Sequence, residues 1–270
     1  MRTFDGGTTW DGFDTGRILL STSSSSGSLA GGFDCPDTST CYIAPAINQQ
    51  IAKITNASAT TPSIGDVGST GFFYDIHCTS NTFCYAVGIS GIRRTTDGTN
   101  WTSLTSPAAS AESESEVFCT DTNTCYVATS FHTSMYKTTN ASATTPSWST
   151  QTLPDSGVSD LHCSSATDCM AVGTGNIVKT SDGTNWTSVT KPSVSGTSTI
   201  FNGVYCFDAN TCTIVGNSTT IWRTSDGGSN WTNQSIGSTN NNYDLSCTSS
   251  SSNTCYISAS VGIVFKRSSN

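Results

Sequence analysis

The residues with the most reactive side chains in this 270-residue sequence are its 12 cysteines. They form six pairs, five with the spacing C-x5-C, and two thiols so placed can close a disulfide or supply two of a zinc ion's ligands. The spacing is unusual for zinc, and only His77 and His162 stand beside a first cysteine. We therefore expect six disulfides, each joining two residues that face each other across a hairpin, an oxidising compartment, and no metal or other cofactor. The pairs are Cys35/Cys41, Cys78/Cys84, Cys119/Cys125, Cys163/Cys169, Cys206/Cys212 and Cys247/Cys255.

Acidic residues stand three positions before the first cysteine in four of these repeats, at Asp75, Glu116, Asp160 and Asp244. Gly32 and Gly203 occupy the same position in the other two repeats. If these positions surround a common axis, their oxygens can hold a cation. The interpretation we favour is that the carboxylates accept hydrogen bonds from nearby backbone N–H groups.

The elements that carry these residues repeat with a period of about 44 residues. Each repeat predicts four short strands, a to d, separated by Gly, Asn, Asp and Ser, and no stretch has helical periodicity. This pattern predicts an all-β, six-bladed β-propeller as a single domain over residues 1–270, with one disulfide per blade. An N-terminal strand d is expected to close the ring by joining the C-terminal strands a–c.

A second landmark recurs in the turn between strands c and d, where an acid or amide is followed by a tryptophan. The pairs are Asp5 and Trp10, Asp97 and Trp101, Asn140 and Trp148, Asp182 and Trp186, and Asp226 and Trp231. We expect the first residue of each pair to accept turn N–H groups and the tryptophan to pack on the blade. These turns resemble Asp-box (BNR) repeats, and the whole repeat resembles photosystem II assembly-factor-like and sortilin-like propellers. The resemblance implies a propeller fold, and it covers families of sialidases, receptors and assembly factors alike.

Candidate ligand-binding aromatics lie in the loops that join strands d–a and b–c. They are Phe72, Phe73, Tyr74, Phe131, His132, Phe201 and Tyr243. Such rings can stack on sugars or anchor a protein, or they can pack between blades.

Catalysis is not expected. A sialidase needs several arginines converging on its substrate, and most arginines here follow strand c, by the opposite face. A two-carboxylate glycosidase remains the enzyme alternative, with candidates Glu112, Glu114, Glu116, Asp155 and Asp160.

The charge distribution narrows the choice of partner. The net charge of −8 argues against nucleic-acid binding, and no apolar run is long enough for membrane insertion. Basic residues such as Lys137 and Lys179 are expected to form a ring at the a–b/c–d face, which leaves the d–a/b–c face acidic. We predict an extracellular or cell-surface module that binds a glycan or protein through its acidic face. The alternative is a structural subunit of a filament, sheath or appendage that stacks head-to-tail on copies of itself.

Overall fold

The computed structural model describes residues 30–108, 112–129, 132–192, 200–217, 220–234, 241–248, 254–260 and 263–267. These residues form six antiparallel sheets in chain order, five with four strands and one with three. The chain is a six-bladed β-propeller, which confirms the predicted fold class. The strand expected to close the ring, with Asp5 and Trp10, lies outside the described residues.

The strands are short, and each blade is a meander of consecutive strands. Blade 1 contains β1 (Ala30–Asp34), β2 (Thr40–Pro45), β3 (Gln49–Thr55) and β4 (Ser63–Gly71), and blade 2 contains β5 (Asp75–Cys78), β6 (Cys84–Val87), β7 (Ile92–Thr95) and β8 (Trp101–Leu104). Blade 3 contains β9 (Glu114–Cys119), β10 (Cys125–Thr129), β11 (Ser134–Thr138) and β12 (Ser149–Thr152), and blade 4 contains β13 (Val158–Cys163), β14 (Cys169–Gly173), β15 (Asn176–Thr180) and β16 (Thr187–Ser188). Blade 5 contains β17 (Phe201–Cys206), β18 (Cys212–Gly216), β19 (Ile221–Thr224) and β20 (Thr232–Asn233), and blade 6 contains β21 (Asn242–Cys247), β22 (Cys255–Ala259) and β23 (Ile263–Arg267).

Each blade carries one disulfide at the turn between its first two strands, as expected. In blades 2 to 6 the two cysteines face each other in register, as Cys78 faces Cys84 and Cys119 faces Cys125, with Cα atoms 4.0 Å apart. All six predicted pairs are bonded. The disulfides therefore staple the a–b turns, and all of them lie on the same face of the propeller.

Blade 1 has the same pairing with a shorter ladder. The Cys35–Cys41 disulfide is closed, with Cα atoms 4.0 Å apart, and the register of Asp34 with Tyr42 sets the two cysteines opposite each other. β1 ends one residue before Cys35, so the ladder stops at Asp34 and Tyr42. Cys41 is buried against Ile54 and other apolar residues of its own blade, whereas Cys35 is exposed, unlike the first cysteine of every other pair.

The ladder is shorter in blade 1 because of the residue that follows the first cysteine. In the other five blades its N–H group donates to the carbonyl just before the second cysteine, as Thr79 donates to Phe83 at 3.0 Å, and this bond extends the ladder to the disulfide. In blade 1 that residue is Pro36, which has no N–H group. The predicted position across the hairpin is therefore confirmed for Cys35 and Cys41 as well, without this one hydrogen bond.

The turn between strands c and d is organised by its aspartate. In blade 2 the Asp97 Oδ1 atom accepts the N–H groups of Thr99 (2.8 Å) and Asn100 (2.7 Å). Asp182 and Asp226 make equivalent bonds in blades 4 and 5. Hydrogen bonds from the asparagine side chain and turn backbone hold the pKa of these exposed carboxyls well below the usual range.

The variant turn of blade 3 uses an amide in place of the carboxylate. Here the Asn140 Oδ1 atom accepts the Ser147 N–H at 2.9 Å and the Thr138 hydroxyl at 2.9 Å. An amide oxygen therefore organises this longer turn in the way that a carboxylate organises the others.

Neighbouring blades are joined by side chains that reach from strands b and c into the next c–d turn. The Tyr42 hydroxyl of blade 1 donates to the carbonyls of Asn81 (2.7 Å) and Gly98 (3.2 Å), and Lys53 Nζ also donates to Gly98 (3.3 Å). The Trp101 ring of blade 2 packs edge-on against Tyr42, with centroids 6.2 Å apart. We call this arrangement the inter-blade clip.

The inter-blade clip repeats around the ring. Tyr126 and Lys137 of blade 3 donate to Gly183 of blade 4, and Lys179 of blade 4 donates to Gly227 of blade 5. In blade 2, Arg94 and the Tyr85 hydroxyl donate to the Ala141 carbonyl, each at 2.6 Å. Apolar side chains from adjacent blades fill the space beside each clip, so the core lies between blades.

These contacts give the predicted basic ring a role inside the fold. Lys53, Arg94, Lys137 and Lys179 project from strand c as predicted, and their nitrogens are bonded to carbonyls of the following blade. Their sequence positions indicated the correct face but did not reveal these hydrogen bonds. The four side chains help to hold the propeller together and keep their positive charge, so head-to-tail stacking through this face stays a prediction.

Candidate functional site: the central channel and its mouth

The innermost strands of the six blades surround a central channel of about 460 Å³. The edge of each innermost strand that faces the channel carries backbone N–H groups that have no further strand to pair with. Since the chain enters these strands from the d–a loops, the start of each strand lies at the d–a/b–c face, which we call the mouth of the channel. The disulfides lie at the opposite end.

Side chains of the preceding blade accept the edge N–H groups near the mouth. The Val117 N–H donates to Asp75 Oδ2 at 2.9 Å, and the Val204 N–H donates to Asp160 Oδ2 at 2.6 Å. This is the favoured sequence interpretation of the acidic residues, and it holds at these two positions. In blade 1, a Cβ at Gly32 would lie 2.6 Å from Asp75 Oδ1 and 2.3 Å from a backbone nitrogen, so no acidic side chain fits there.

A second set of acceptors lies two residues further along the strand, on the residue before the first cysteine in blades 1, 2 and 4. Asp34 accepts the Cys78 N–H at 2.6 Å. His77 Nδ1 accepts the Cys119 N–H at 3.2 Å, and His162 Nδ1 accepts the Cys206 N–H at 3.3 Å. An imidazole that accepts at Nδ1 is neutral, with its proton on Nε2.

The two histidines belong to a row of rings along the channel wall. His77 packs on Phe118 with centroids 4.2 Å apart, Phe118 packs on His162 at 4.7 Å, and His162 packs on Tyr205 at 4.2 Å. Burial among these rings lowers the pKa of His77 and lowers the pKa of His162 to about 3, with a further contribution from His77 to the latter. Both imidazoles are therefore uncharged at neutral pH, and their role is to close the strand edges.

The carboxyl groups near the mouth hold their protons more tightly than usual. Loss of bulk water raises the pKa of Glu116 well above its ordinary value, and the neighbouring charge of Asp75 adds to this effect. Burial also raises the pKa of Asp75, although its hydrogen bond with Glu116 opposes the shift. The hydrogen bond between the two groups thus raises the pKa of Glu116 and lowers that of Asp75, so Glu116 is the member of the pair that holds a proton more tightly.

The other two carboxyls follow the same pattern. Burial raises the pKa of Asp160 well above its ordinary value, with a contribution from the charge of Asp244. Burial raises the pKa of Asp244 to about 6, although its side chain still contacts channel water. Among the residues that the structure describes, no three His, Cys, Asp or Glu side chains are grouped so that they could hold a metal ion.

The predicted aromatic residues separate into exposed and buried groups. Phe72 and Tyr74 are exposed in the loop between β4 and β5, and Tyr243 is exposed near the start of β21. Phe73 and Phe201 are completely buried, so a ligand cannot reach their rings, and their expected exposure was wrong. Successive residues of an extended chain point to opposite sides, which is why Phe73 lies inside between Phe72 and Tyr74.

The other candidates that the structure describes, apart from Glu116 and Asp160, lie away from the channel. His132 Nδ1 is 3.7 Å from Glu112 Oε1, and Phe131 lies outside the described residues. Glu114 is buried and bonded to Ser106, and Asp155 accepts the Ser188 hydroxyl at 2.9 Å. Of the five candidate glycosidase carboxylates, only Glu116 and Asp160 line the channel.

Sequence reasoning missed one exposed residue at the mouth, Ile89. It lies in the b–c loop of blade 2, which is bonded to the loop of Phe72: the Ser90 N–H donates to the Phe72 carbonyl at 3.2 Å, and the Phe72 N–H donates to Ser90 Oγ at 2.9 Å. Tyr74 and Tyr243 both line the channel. We call Phe72, Tyr74, Ile89 and Tyr243 the mouth patch.

Comparison with known proteins supports the fold. No family model matches the sequence, and no curated protein sequence is similar to it. The structure is similar to an ancestral GH74 enzyme, with a TM-score of 0.71 and 13% identity over 89% of this chain and 37% of that one. It is also similar to YCF48 bound to D1 peptide, with a TM-score of 0.55 and 13% identity over 90% of this chain and 94% of that one.

A third similar structure is the extracellular domain of the hybrid two-component system BT4673 from B. thetaiotaomicron, with a TM-score of 0.67 and 9% identity over 90% of this chain and 32% of that one. The chain thus spans about a third of the length of the GH74 enzyme and of this domain. These structures include an enzyme, a protein with a bound peptide and an extracellular domain. At such identities they establish a β-propeller, and the activity has to be argued from the site.

Proposed function

We propose that this protein is a non-catalytic recognition module that binds its ligand at the mouth of the central channel, between the d–a and b–c loops. The observation that carries the proposal is the mouth patch. Phe72, Tyr74, Ile89 and Tyr243 have relative exposures of 39%, 40%, 61% and 54%. They are four of the five large hydrophobic residues that are exposed in the described part of the chain, the fifth being Phe33 on the channel wall.

Exposed aromatic residues gathered on one face favour recognition for an energetic reason. Burying apolar surface against a ligand contributes about 25 cal/mol per Å², and rigid aromatic rings contribute it with little loss of side-chain entropy. The loops that carry Phe72 and Ile89 are bonded to each other and to a blade, since the Tyr74 N–H donates to the Val87 carbonyl at 2.7 Å. The patch is therefore held in place before a ligand arrives.

The carboxyl groups of the channel support a non-catalytic role. Asp75 and Asp160 each use an oxygen to pair a strand-edge N–H group, which is a structural task. The described arginines do not converge at the mouth: Arg94 forms an inter-blade clip, and Arg93 donates to Ser69 on the neighbouring strand d.

A glycoside hydrolase is the second candidate, because Asp75 and Glu116 both line the channel. Glycosidases use one protonated and one ionised carboxyl group, and the pKa of Glu116 is raised further than that of Asp75. Incubation with a panel of oligosaccharides separates the two functions. Hydrolysis that is abolished in Glu116→Gln would support the enzyme and contradict the recognition proposal.

Extracellular location and membership in the Asp-box propellers are part of the same proposal. The six disulfides indicate an oxidising compartment, which supports an extracellular or cell-surface site of action. The hydrogen bonds of the Asp97, Asp182 and Asp226 turns support the Asp-box assignment. The described residues contain no helix that is long and apolar enough to cross a membrane.

The proposal is tested by screening the oxidised protein on a glycan array and with a displayed library of random dodecapeptides. Each screen is run in parallel on the double variant Tyr74→Ala/Tyr243→Ala, and Thr122→Ala on the disulfide face serves as the control. We expect ligands that bind wild type and the control but not the double variant. If every ligand found binds all three proteins equally, the mouth patch is not the binding site.

A further inference from the structure

The charged groups beside the mouth patch indicate the chemical class of ligand that binds there. The residues that line the channel include five carboxyl side chains, Asp34, Asp75, Glu116, Asp160 and Asp244, and no lysine or arginine among the described residues. Asp244 adjoins Tyr243, and Asp75 adjoins Tyr74, so each exposed tyrosine of the channel is followed directly by an acid. An apolar surface is thus continuous with a negatively charged opening.

No basic side chain in the described structure neutralises this opening. Lys53, Lys137 and Lys179 donate to carbonyls of the c–d turns on the opposite face. The imidazoles of His77 and His162 accept hydrogen bonds and carry no charge. Among the carboxyl groups, Asp244 has a pKa of about 6 and is therefore mostly ionised at neutral pH, so the mouth attracts cations and repels anionic ligands such as acidic sugars.

The size of the channel favours an inserted side chain over a bulky ligand. The channel volume of about 460 Å³ accommodates one or two extended side chains and not a folded domain. A lysine or arginine can lay its apolar stem along a tyrosine ring, with the cation near the ring face and the carboxylates beyond. Phe72 and aliphatic Ile89 lie beside this entry and suit an apolar neighbour of the basic residue.

We propose that the ligand of the mouth patch is a segment of another protein that inserts a lysine or arginine side chain into the channel and seats an adjacent apolar side chain on Phe72 and Ile89. This inference rests on the proposed function and names its partner. Electrostatic complementarity decides between partners here, because a cation gains charge attraction from an ionised carboxylate in addition to hydrogen bonds, whereas the hydroxyl groups of a neutral glycan gain hydrogen bonds alone. The acid nearest to bulk water, Asp244, is the one that an entering cation meets first.

The test uses the binders selected from the dodecapeptide library and three proteins: wild type, Tyr74→Ala/Tyr243→Ala and Asp244→Asn. The most enriched sequence is synthesised with its basic residue intact and with norleucine in its place, and both are titrated by fluorescence anisotropy. We expect the selected sequences to contain Lys or Arg next to an apolar residue. Norleucine should weaken binding to wild type by at least tenfold, and Asp244→Asn should weaken binding of the basic peptide by about threefold or more while leaving the norleucine peptide unchanged.

The outcomes separate the two proposals. Tyrosine-dependent peptides without enriched Lys or Arg, or tyrosine-dependent glycans with no such peptide, would leave the recognition site standing and overturn the basic-segment inference. Binders that ignore the tyrosine substitutions would overturn both. Thermal melting of the variants in the absence of peptide shows that a lost affinity is not lost folding.

Discussion

The inter-blade clips yield a quantitative prediction at Gly183, with Gly157 as a matched control. Both glycines have positive φ, 71° and 82°, so alanine at either position costs about 1–2 kcal/mol of backbone strain. Their surroundings differ. A Cβ at Gly183 would lie 2.4 Å from Lys137 Nζ and 2.6 Å from Tyr126 Oη, whereas a Cβ at Gly157 would meet no atom within 4 Å.

The size of the effect follows from the bonds that alanine would displace. Lys137 and Tyr126 donate to the Gly183 carbonyl at 3.0 and 3.4 Å, and Tyr126 is completely buried, so its ring cannot swing away. A hydrogen bond from a charged donor contributes about 1.5–3 kcal/mol and one from a neutral donor about 1 kcal/mol. We expect Gly183→Ala to lower the free energy of unfolding by about 2–4 kcal/mol more than Gly157→Ala does.

The assay is guanidinium unfolding of the oxidised proteins, followed by tryptophan fluorescence, with a thermal melt as a second measurement. The difference corresponds to roughly 4–12 °C in Tm for a chain of this size. The double variant Gly183→Ala/Lys137→Met should recover part of the loss, because it removes one of the two displaced groups. Equal destabilisation by Gly183→Ala and Gly157→Ala would refute the view that the clips hold the blades together.

The other predictions concern pH, charge and disulfides. A carboxyl whose folded pKa is raised stabilises the fold at low pH and loses that contribution as pH rises through the folded pKa, whereas His77 and His162, whose pKa values are lowered, act in the opposite direction. The contribution of Asp244, whose pKa is raised to about 6, is therefore measured against Asp244→Asn; because Asp244 is exposed, we expect wild type to lose only about 1 kcal/mol more than this variant between pH 5 and pH 7.5. Glu116→Gln should raise Tm more at pH 7.5 than at pH 5, and equal changes at the two pH values would contradict this account. Lys137→Glu should lower Tm, whereas Lys191→Glu, at an exposed position, should change Tm little. If Lys137→Glu melts like wild type and light scattering shows that it no longer forms filaments that wild type forms, the result would support the stacking hypothesis instead. Replacing Cys78 and Cys84 together by alanine should cost about 2 kcal/mol in chemical unfolding, since their disulfide closes a short loop, and an unchanged midpoint would show that the register alone holds this turn.

The fold was predictable because the repeat carries it redundantly. Cysteine pairs, c–d turns and four short strands recur together in each unit, so a local ambiguity in one blade is resolved by the others. The disulfide partners followed from the same repetition, since Cys78 and Cys84 take the same places in their blade as Cys119 and Cys125 do in theirs.

Repetition did not indicate where one blade would differ in detail. The spacing of Cys35 and Cys41 matches that of the other pairs, and their disulfide closes at the same hairpin position. The proline that follows Cys35 removes the N–H group that extends the ladder in the other blades, and this signal was readable in the sequence.

The inter-blade clips were present in the sequence as an unused signal. A tyrosine follows the second cysteine at Tyr42, Tyr85 and Tyr126, and its cross-strand neighbour is the basic residue before the c–d turn, as Lys137 faces Tyr126. Register between strands b and c would have placed the cation beside the ring. What sequence could not supply was the distance to the next blade, which depends on how the sheets pack around the axis.

The mouth patch was only partly predictable for a similar reason. Phe72, Phe73 and Tyr74 are consecutive, and which of them points outward depends on the hydrogen bond of the Phe73 N–H to the Pro45 carbonyl in blade 1, at 2.8 Å. Ile89 lacked any distinguishing pattern, because one aliphatic residue in a loop is as compatible with packing as with exposure. Whether such a residue is exposed depends on contacts between loops that are distant in sequence.

The most direct test of recognition at the channel mouth is to block it with a covalent label. The structure describes no free cysteine, so a single introduced thiol can be labelled selectively with a maleimide-linked polyethylene glycol under non-reducing conditions. Tyr74→Cys places the label at the mouth, and Thr122→Cys places it at an exposed position by the disulfides. A ligand is first selected on the wild-type protein, and its affinity for each variant is measured before and after labelling. We predict that the label at position 74 abolishes binding and that the label at position 122 leaves the affinity unchanged. Binding that survives the label at 74, or is lost equally with the label at 122, would contradict the account.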